Sequence, residues 1–130
     1  MLLQYDWCHE TSLVQDTRSP ARARAFVVHH LGEHRLHHLV EPVRLTASEL
    51  ATNAVVHART AFTVTLSQWD NVVTLSVEDE QPTQALTVPV GPDLLADHGR
   101  GLRIVDQISD KWGVATDPCG GKLVWASFAC

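Results

Sequence analysis

The apolar positions of the chain follow two different periods, and the changes of period mark out its elements. From Val43 to Arg59 the sequence runs V-R-L-T-A-S-E-L-A-T-N-A-V-V-H-A-R. Val43, Ala47, Leu50 and Ala54 recur at spacings of four, three and four, which places them on one face of a helix. Glu49, Asn53 and His57 recur every four residues and form a second line close beside the first. On an ordinary amphipathic helix the polar groups lie opposite the core. Here they border it, where a cleft can form. Boundary polar residues with local hydrogen bonds are the plain alternative.

The rest of the chain divides around this helix. Residues 2–7 alternate weakly and predict an edge strand, while residues 8–18 give no firm signal. Ser19-Pro20 predicts a helix start, with Ser19 as cap and Pro20 at the first helical position. Ala23, Phe26, Val27, His30 and Leu31 supply its face, and Gly32 suits its end. Residues 33–40 read as a link to the second helix, which starts near Glu41-Pro42.

After Thr60-Ala61 the period becomes two. Residues 62–69 alternate with Phe62, Val64 and Leu66 inward, Asp70-Asn71 is a two-residue turn, and residues 72–79 return with Val73, Leu75 and Val77 inward. Residues 80–97 hold three prolines and no clean period, a loop long enough to be a lid. Leu102, Ile104, Val105 and Ile108 then resume a helical pattern, and residues 111–116 and 122–128 flank the turn D-P-C-G-G as a final hairpin. Hairpin-joined strands with three helices predict an α+β fold, a two-layer sandwich with helices on one face of the sheet.

Composition narrows the function. One domain spanning residues 1–130, 45% hydrophobic and 19% charged, is an ordinary soluble globular chain. A net charge of −5 with scattered Lys and Arg argues against direct nucleic-acid binding. No apolar run reaches bilayer length and the N-terminus lacks a signal peptide, so no membrane partner is expected. Cys8, Cys119 and Cys130 form no C-x-x-C pair, which fits a reduced, cytoplasmic protein. Among the eight histidines, His29, His30, His34, His37 and His38 crowd one region. Gly32 is expected to interrupt any shared helical face, so they read as solvated surface groups rather than a metal site.

Two further places carry candidate chemistry. Asp79 shares the inward face of its strand, where a carboxylate is costly unless hydrogen-bonded. A turn residue beyond the strand end is the alternative. The segment H-G-R-G-L-R-I-V, residues 98–105, leads two glycines into a helix N-terminus, where backbone amides can cradle phosphate. A plain loop-to-helix turn is the equal alternative, since the segment lacks both the dinucleotide fingerprint and G-K-[ST].

Together, E-L-A-T-N-A-V-V-H-A (49–58), V-E-D (77–79), G-R-G-L-R-I-V (99–105) and G-G-K-L-V-W-A-S-F (120–128) resemble the boxes of the Bergerat-fold (GHKL) ATP-binding superfamily. The resemblance covers roughly residues 10–130 and is nearest to the anti-sigma-factor serine/threonine kinases, including the actinobacterial stand-alone type. It implies a mixed, mostly antiparallel sheet, an ATP lid over residues 80–98, and ATP with Mg²⁺ as cofactors. Asn53 would be the Mg²⁺ ligand, Glu49 the catalytic base, and Asp79 the acceptor for the adenine amino group. Gly99, Arg100, Gly101 and Leu102 would wrap the phosphates, and His57 and Arg59 would border the site.

The implied partners are a sigma factor and a small antagonist protein that is phosphorylated; a homodimer is implied as well. The alternative is a nucleotide-binding module that sequesters a regulator without chemistry. A histidine-kinase catalytic core fits less well, because no upstream helix pair with a phosphoacceptor histidine is evident. Gln81-Pro82 and Leu123 depart from the family pattern, which usually has glycine and threonine there. The lost threonine hydroxyl is expected to cost one hydrogen bond, about 0.5–1.5 kcal/mol.

Overall fold

A computed structural model describes residues 4–58, 60–79, 100–116 and 121–130, and the side chains of all of these except Ala58, Arg100 and Gly101. The strands are β1 (Trp7–Leu13), β2 (Phe62–Trp69), β3 (Val72–Asp79), β4 (Lys111–Thr116) and β5 (Lys122–Ala129). The helices are α1 (Ser19–Glu33), α2 (Val40–Asn53) and α3 (Arg100–Ile108). One sheet in the order β1-β2-β3-β5-β4 joins all five strands. Among the described residues all four pairings are antiparallel, in keeping with the expected mostly antiparallel sheet. The expected lid, Gly99, Arg59 and Cys119 lie outside the described residues.

The hairpins follow their pattern. Phe62, Val64, Leu66, Val73, Leu75 and Val77 are buried on one face of the sheet. The β2–β3 turn is made by Asp70 at φ 57°, a left-handed conformation that Asp tolerates without glycine. In the second hairpin Gly113 lies opposite Trp125, and a Cβ there would stand 2.9 Å from the indole. Glycine leaves the ring that space.

The helices cover the inward face. Ala23, Val27 and Leu31 of α1, and Val43, Ala47, Leu50 and Ala51 of α2, join Leu102 and Val105 of α3 in one core with the sheet. Each large apolar side chain among them contributes about 1.5–3 kcal/mol on burial. Thr46 is fully buried and donates its hydroxyl to the Pro42 carbonyl at 2.8 Å, so its polar atom is satisfied within α2. The other face of the sheet is open, with a hollow of about 1260 Å³ lined by Tyr5, Trp69, Leu123 and Trp125 among others. No helix among the described residues is long and apolar enough to cross a membrane.

Three expectations are corrected at the N-terminal end. The edge strand covers residues 7–13, and the described residues 4–6 of the expected 2–7 lie outside it; its inward set is Trp7, His9, Thr11 and Leu13, facing Gln68, Leu66, Val64 and Phe62 across the ladder. Two of those four are polar, so the alternation was masked. Ser19 is the first helical residue and not a cap: it is fully buried, and its hydroxyl donates to the Val14 carbonyl at 2.6 Å. Gly32 does not end α1, which continues to Glu33; the left-handed residue past its end is Arg35, at φ 59°.

That extra length changes the histidines. His30 and His34 both come to lie beside His9 of β1, where the His9 and His30 rings stack at 3.8 Å. His34 stacks on Trp7 at 4.0 Å, and its Nε2 is 2.9 Å from Nε2 of His9. These three are half-buried, so the expectation of solvated surface groups fails for His30 and His34; His29, His37 and His38 are exposed as expected, and so is His57. Burial holds the His9 imidazole below its ordinary range, reinforced by His30 and His34 and opposed by Glu33.

Candidate functional site

The C-terminal end of α2 and the end of β3 meet at one hollow. Its wall is Leu50, Asn53 and Ala54 from the end of α2, Val77 and Asp79 from β3, Leu102 from α3, Val114 from β4, and Lys122 and Val124 from β5. Asp79 and Asn53 are the polar groups on the sheet and helix sides, and Lys122 adds a cation at the start of β5.

Each is positioned by a different local rule. Val43, Ala47 and Leu50 lock the rotation of α2 against the core, which turns Asn53 into the hollow. Asp79 is set by the ladder: it pairs with Phe62 on one side and Lys122 on the other, so it faces inward with Val77. It is the last residue of β3 and only 7% exposed, so the inward-acid expectation holds over a turn residue. Its carboxylate accepts the Lys122 backbone N–H at 3.3 Å.

Gly121 makes that approach possible. Its φ is +99°, and a Cβ there would stand 2.7 Å from the Asp79 carbonyl oxygen. Only glycine can hold this conformation and this distance together.

The third wall is α3. Leu102, 1% exposed, sits in its first turn and lines the hollow. The first amides of a helix have no partner within it, so donors and the positive end of the helix dipole open beside the pocket. Arg100 and Gly101 belong to this turn.

Among the predicted residues whose side chains are described, two are not in the wall. Glu49 is half-buried on α2, one turn before Asn53, and does not line the hollow. His57 is exposed and likewise stands apart from it. The reason for His57 is a change of helix type. Residues Ala54–Ala58 form a π-helical turn directly after Asn53, so the every-four spacing no longer returns a side chain to the same line. Gln15, from the segment after β1, donates its amide to the Val55 carbonyl in this turn at 3.1 Å.

Sequence reasoning also missed Lys122, Val114 and Val124. Their alternation along the last hairpin was the available signal, since register with Asp79 fixes their face. The same register corrects the expectation for Leu123. It lies on the opposite face, against the open hollow with Trp125, so its missing hydroxyl is not lost from the Asp79 pocket.

Chemically, the hollow offers an apolar slot ending in a carboxylate acceptor, an amide at the helix side, and helix-terminal donors beyond. That set suits a flat heteroaromatic with an exocyclic amine, joined to an anionic tail. Asn53 presents an amide oxygen of the kind a hard divalent cation accepts. Residues 13–128 match the family model described as histidine kinase-like ATPase domain. No curated protein matches the chain.

Proposed function

We propose that this chain, which belongs to the histidine kinase-like ATPase domain family, is an ATP-binding regulatory protein whose nucleotide occupies the hollow between α2, α3, β3 and β5. The supporting observation is the convergence of Asn53, Asp79 and Leu102 on one pocket from three separate segments. In this reading Asp79 accepts a hydrogen bond from the adenine amino group, with Val77, Val124 and Leu50 on the faces of the ring. The first turn of α3, with Gly99, Arg100 and Gly101, holds the phosphates through backbone amides. Asn53 holds Mg²⁺, which neutralises phosphate charge when bound.

The activity proposed is transfer of the γ-phosphoryl group to a serine or threonine hydroxyl of a small antagonist protein, with a sigma factor as the regulated partner. Glu49 takes the hydroxyl proton as the oxygen attacks, and ADP leaves. A second reading, a nucleotide-dependent module that sequesters its partner without phosphoryl transfer, is favoured by the position of Glu49 outside the wall. A second copy of the chain is a further proposed partner.

Titration with Mg-ATP and with adenosine tests the site. Asp79→Ala is expected to weaken both ligands by about 1.5–3 kcal/mol, roughly ten- to a hundredfold. Asn53→Ala is expected to weaken Mg-ATP and leave adenosine unchanged. Adenosine binding that survives Asp79→Ala removes the nucleotide from this hollow. Phosphoryl transfer from labelled ATP, compared between the natural chain and Glu49→Ala, separates the two readings.

A further inference from the structure

At the far edge of the sheet, away from the hollow, the end of α1 crosses β1. The sequence H-L-G-E-H, residues 30–34, puts His30, Glu33 and His34 one turn apart on the same side of the chain. β1 contributes His9 from its inward face, between Trp7 and Thr11. A ring nitrogen of His9, a ring nitrogen of His30 and a carboxylate oxygen of Glu33 all lie within 4.8 Å of one another. Nδ1 of His30 is 2.7 Å from Oε1 of Glu33. Nε2 of His34 stands 2.9 Å from Nε2 of His9, next to this group.

Packing alone does not account for the arrangement. The inward positions of the neighbouring strand at the same level are Leu66 and Val64, both fully buried. A purely structural edge would be met by more of the same. Instead, nitrogen and oxygen donors from two elements converge at a half-buried place, with the Trp7 indole stacked on one of the rings.

We propose that His9, His30 and Glu33 form a binding site for a divalent transition-metal ion, with Zn²⁺ as the fitting ion. Two imidazoles and one carboxylate are a zinc donor set, and three protein ligands leave a fourth position. His34 fills that position or orients His9 from behind it. Coordination requires the His9 and His30 rings to fan open from their present interplanar angle of 10°. Both are partly exposed, so this is a side-chain rotation and not a rearrangement of the fold. The bound ion ties β1, which pairs with β2 alone, to the end of α1.

The test uses the full chain stripped of metal by a chelator and titrated with Zn²⁺ against a chelating dye. One equivalent is expected to bind saturably. His9→Asn, His30→Asn and Glu33→Gln are each expected to weaken binding by at least about tenfold. The double variant His37→Asn/His38→Asn, changing two exposed histidines outside the cluster, is expected to bind as the natural chain does. Circular dichroism verifies folding, and Glu33→Gln, at a half-exposed carboxylate, keeps the test open if a histidine variant unfolds. With Co²⁺ as probe, visible ligand-field bands are expected in the natural chain and lost in His30→Asn. Absence of saturable Zn²⁺ binding overturns the proposal. Affinity equal to that of the natural chain in all three ligand variants overturns it too, by assigning binding to scattered surface histidines.

Discussion

The middle of the sheet and its β1 edge are built to the same alternation with different materials. In β2 and β3 the inward apolar positions are Phe62, Val64, Leu66, Val73, Leu75 and Val77, all at most 4% exposed, with Gln68 half-buried opposite Trp7 and Asp79 at the far end. In β1 they are Trp7, His9, Thr11 and Leu13, of which only Leu13 is buried. The central strands are closed on both edges by a neighbour and on one face by α1 and α2, so their inward apolar side chains lose their water. The edge strand has one neighbour and the half-exposed end of α1. The centre can therefore be purely apolar and stable, whereas the edge can keep polar rings with accessible lone pairs. Burial and chemistry divide along the sheet, and meet only where Asp79 ends a central strand.

The largest expected effect tests the centre. Leu75→Ala, at a fully buried site between Leu66 and Ala126, is expected to cost about 2–5 kcal/mol in denaturant unfolding. Thr11→Ala at the edge is expected to stay below about 1 kcal/mol. Equal costs at the two positions would erase the distinction between these regions. A middle-sized effect tests the point where they meet. Gly121→Ala forces a left-handed alanine and a contact with the Asp79 carbonyl, and is expected to cost about 1–3 kcal/mol. ATP affinity should fall with it, because Asp79 must move; unchanged affinity would show that the start of β5 does not position the carboxylate.

The smallest effect lies beside the edge. The carboxyl of Asp16 is held down to about 2 by hydrogen bonds from the Arg18 side chain and backbone. An acid with a lowered folded value adds stability that is complete above its ordinary value of 3.8 and is lost as pH falls towards 2. Because the pair is solvent-exposed, the change in stability should be slight, and the direct readout is the NMR titration midpoint. A midpoint near 3.8 would mean that the Arg18 contact is not held in solution.

Much of this division was legible in the residues, and the failures have physical causes. Strict alternation and a strong turn signal gave both hairpins their bounds, because side chains with one buried face admit only one register. The α2 stripe was legible for the same reason. β1 was missed because His9 and Thr11 stand where hydrophobicity was sought. Ser19 was read as a cap because local sequence does not reveal a hydroxyl bonded to Val14. At the site, Asn53 and Asp79 were each visible as oddities and Leu102 as part of a helical pattern, but their meeting came from resemblance alone: spacing along one segment says nothing about adjacency to another. His57 was misplaced because residues 54–57 continue the helical pattern while the backbone changes to a wider turn.

That wider turn has a mechanical consequence. On one side of it α2 is clamped by its apolar stripe; on the other, β2 is fixed by ladders to two neighbours. The change from helix to strand between these two held elements therefore begins at the wider turn of Ala54–Ala58. The Gln15 amide, reaching the Val55 carbonyl from the segment after β1, ties that turn to the edge of the sheet.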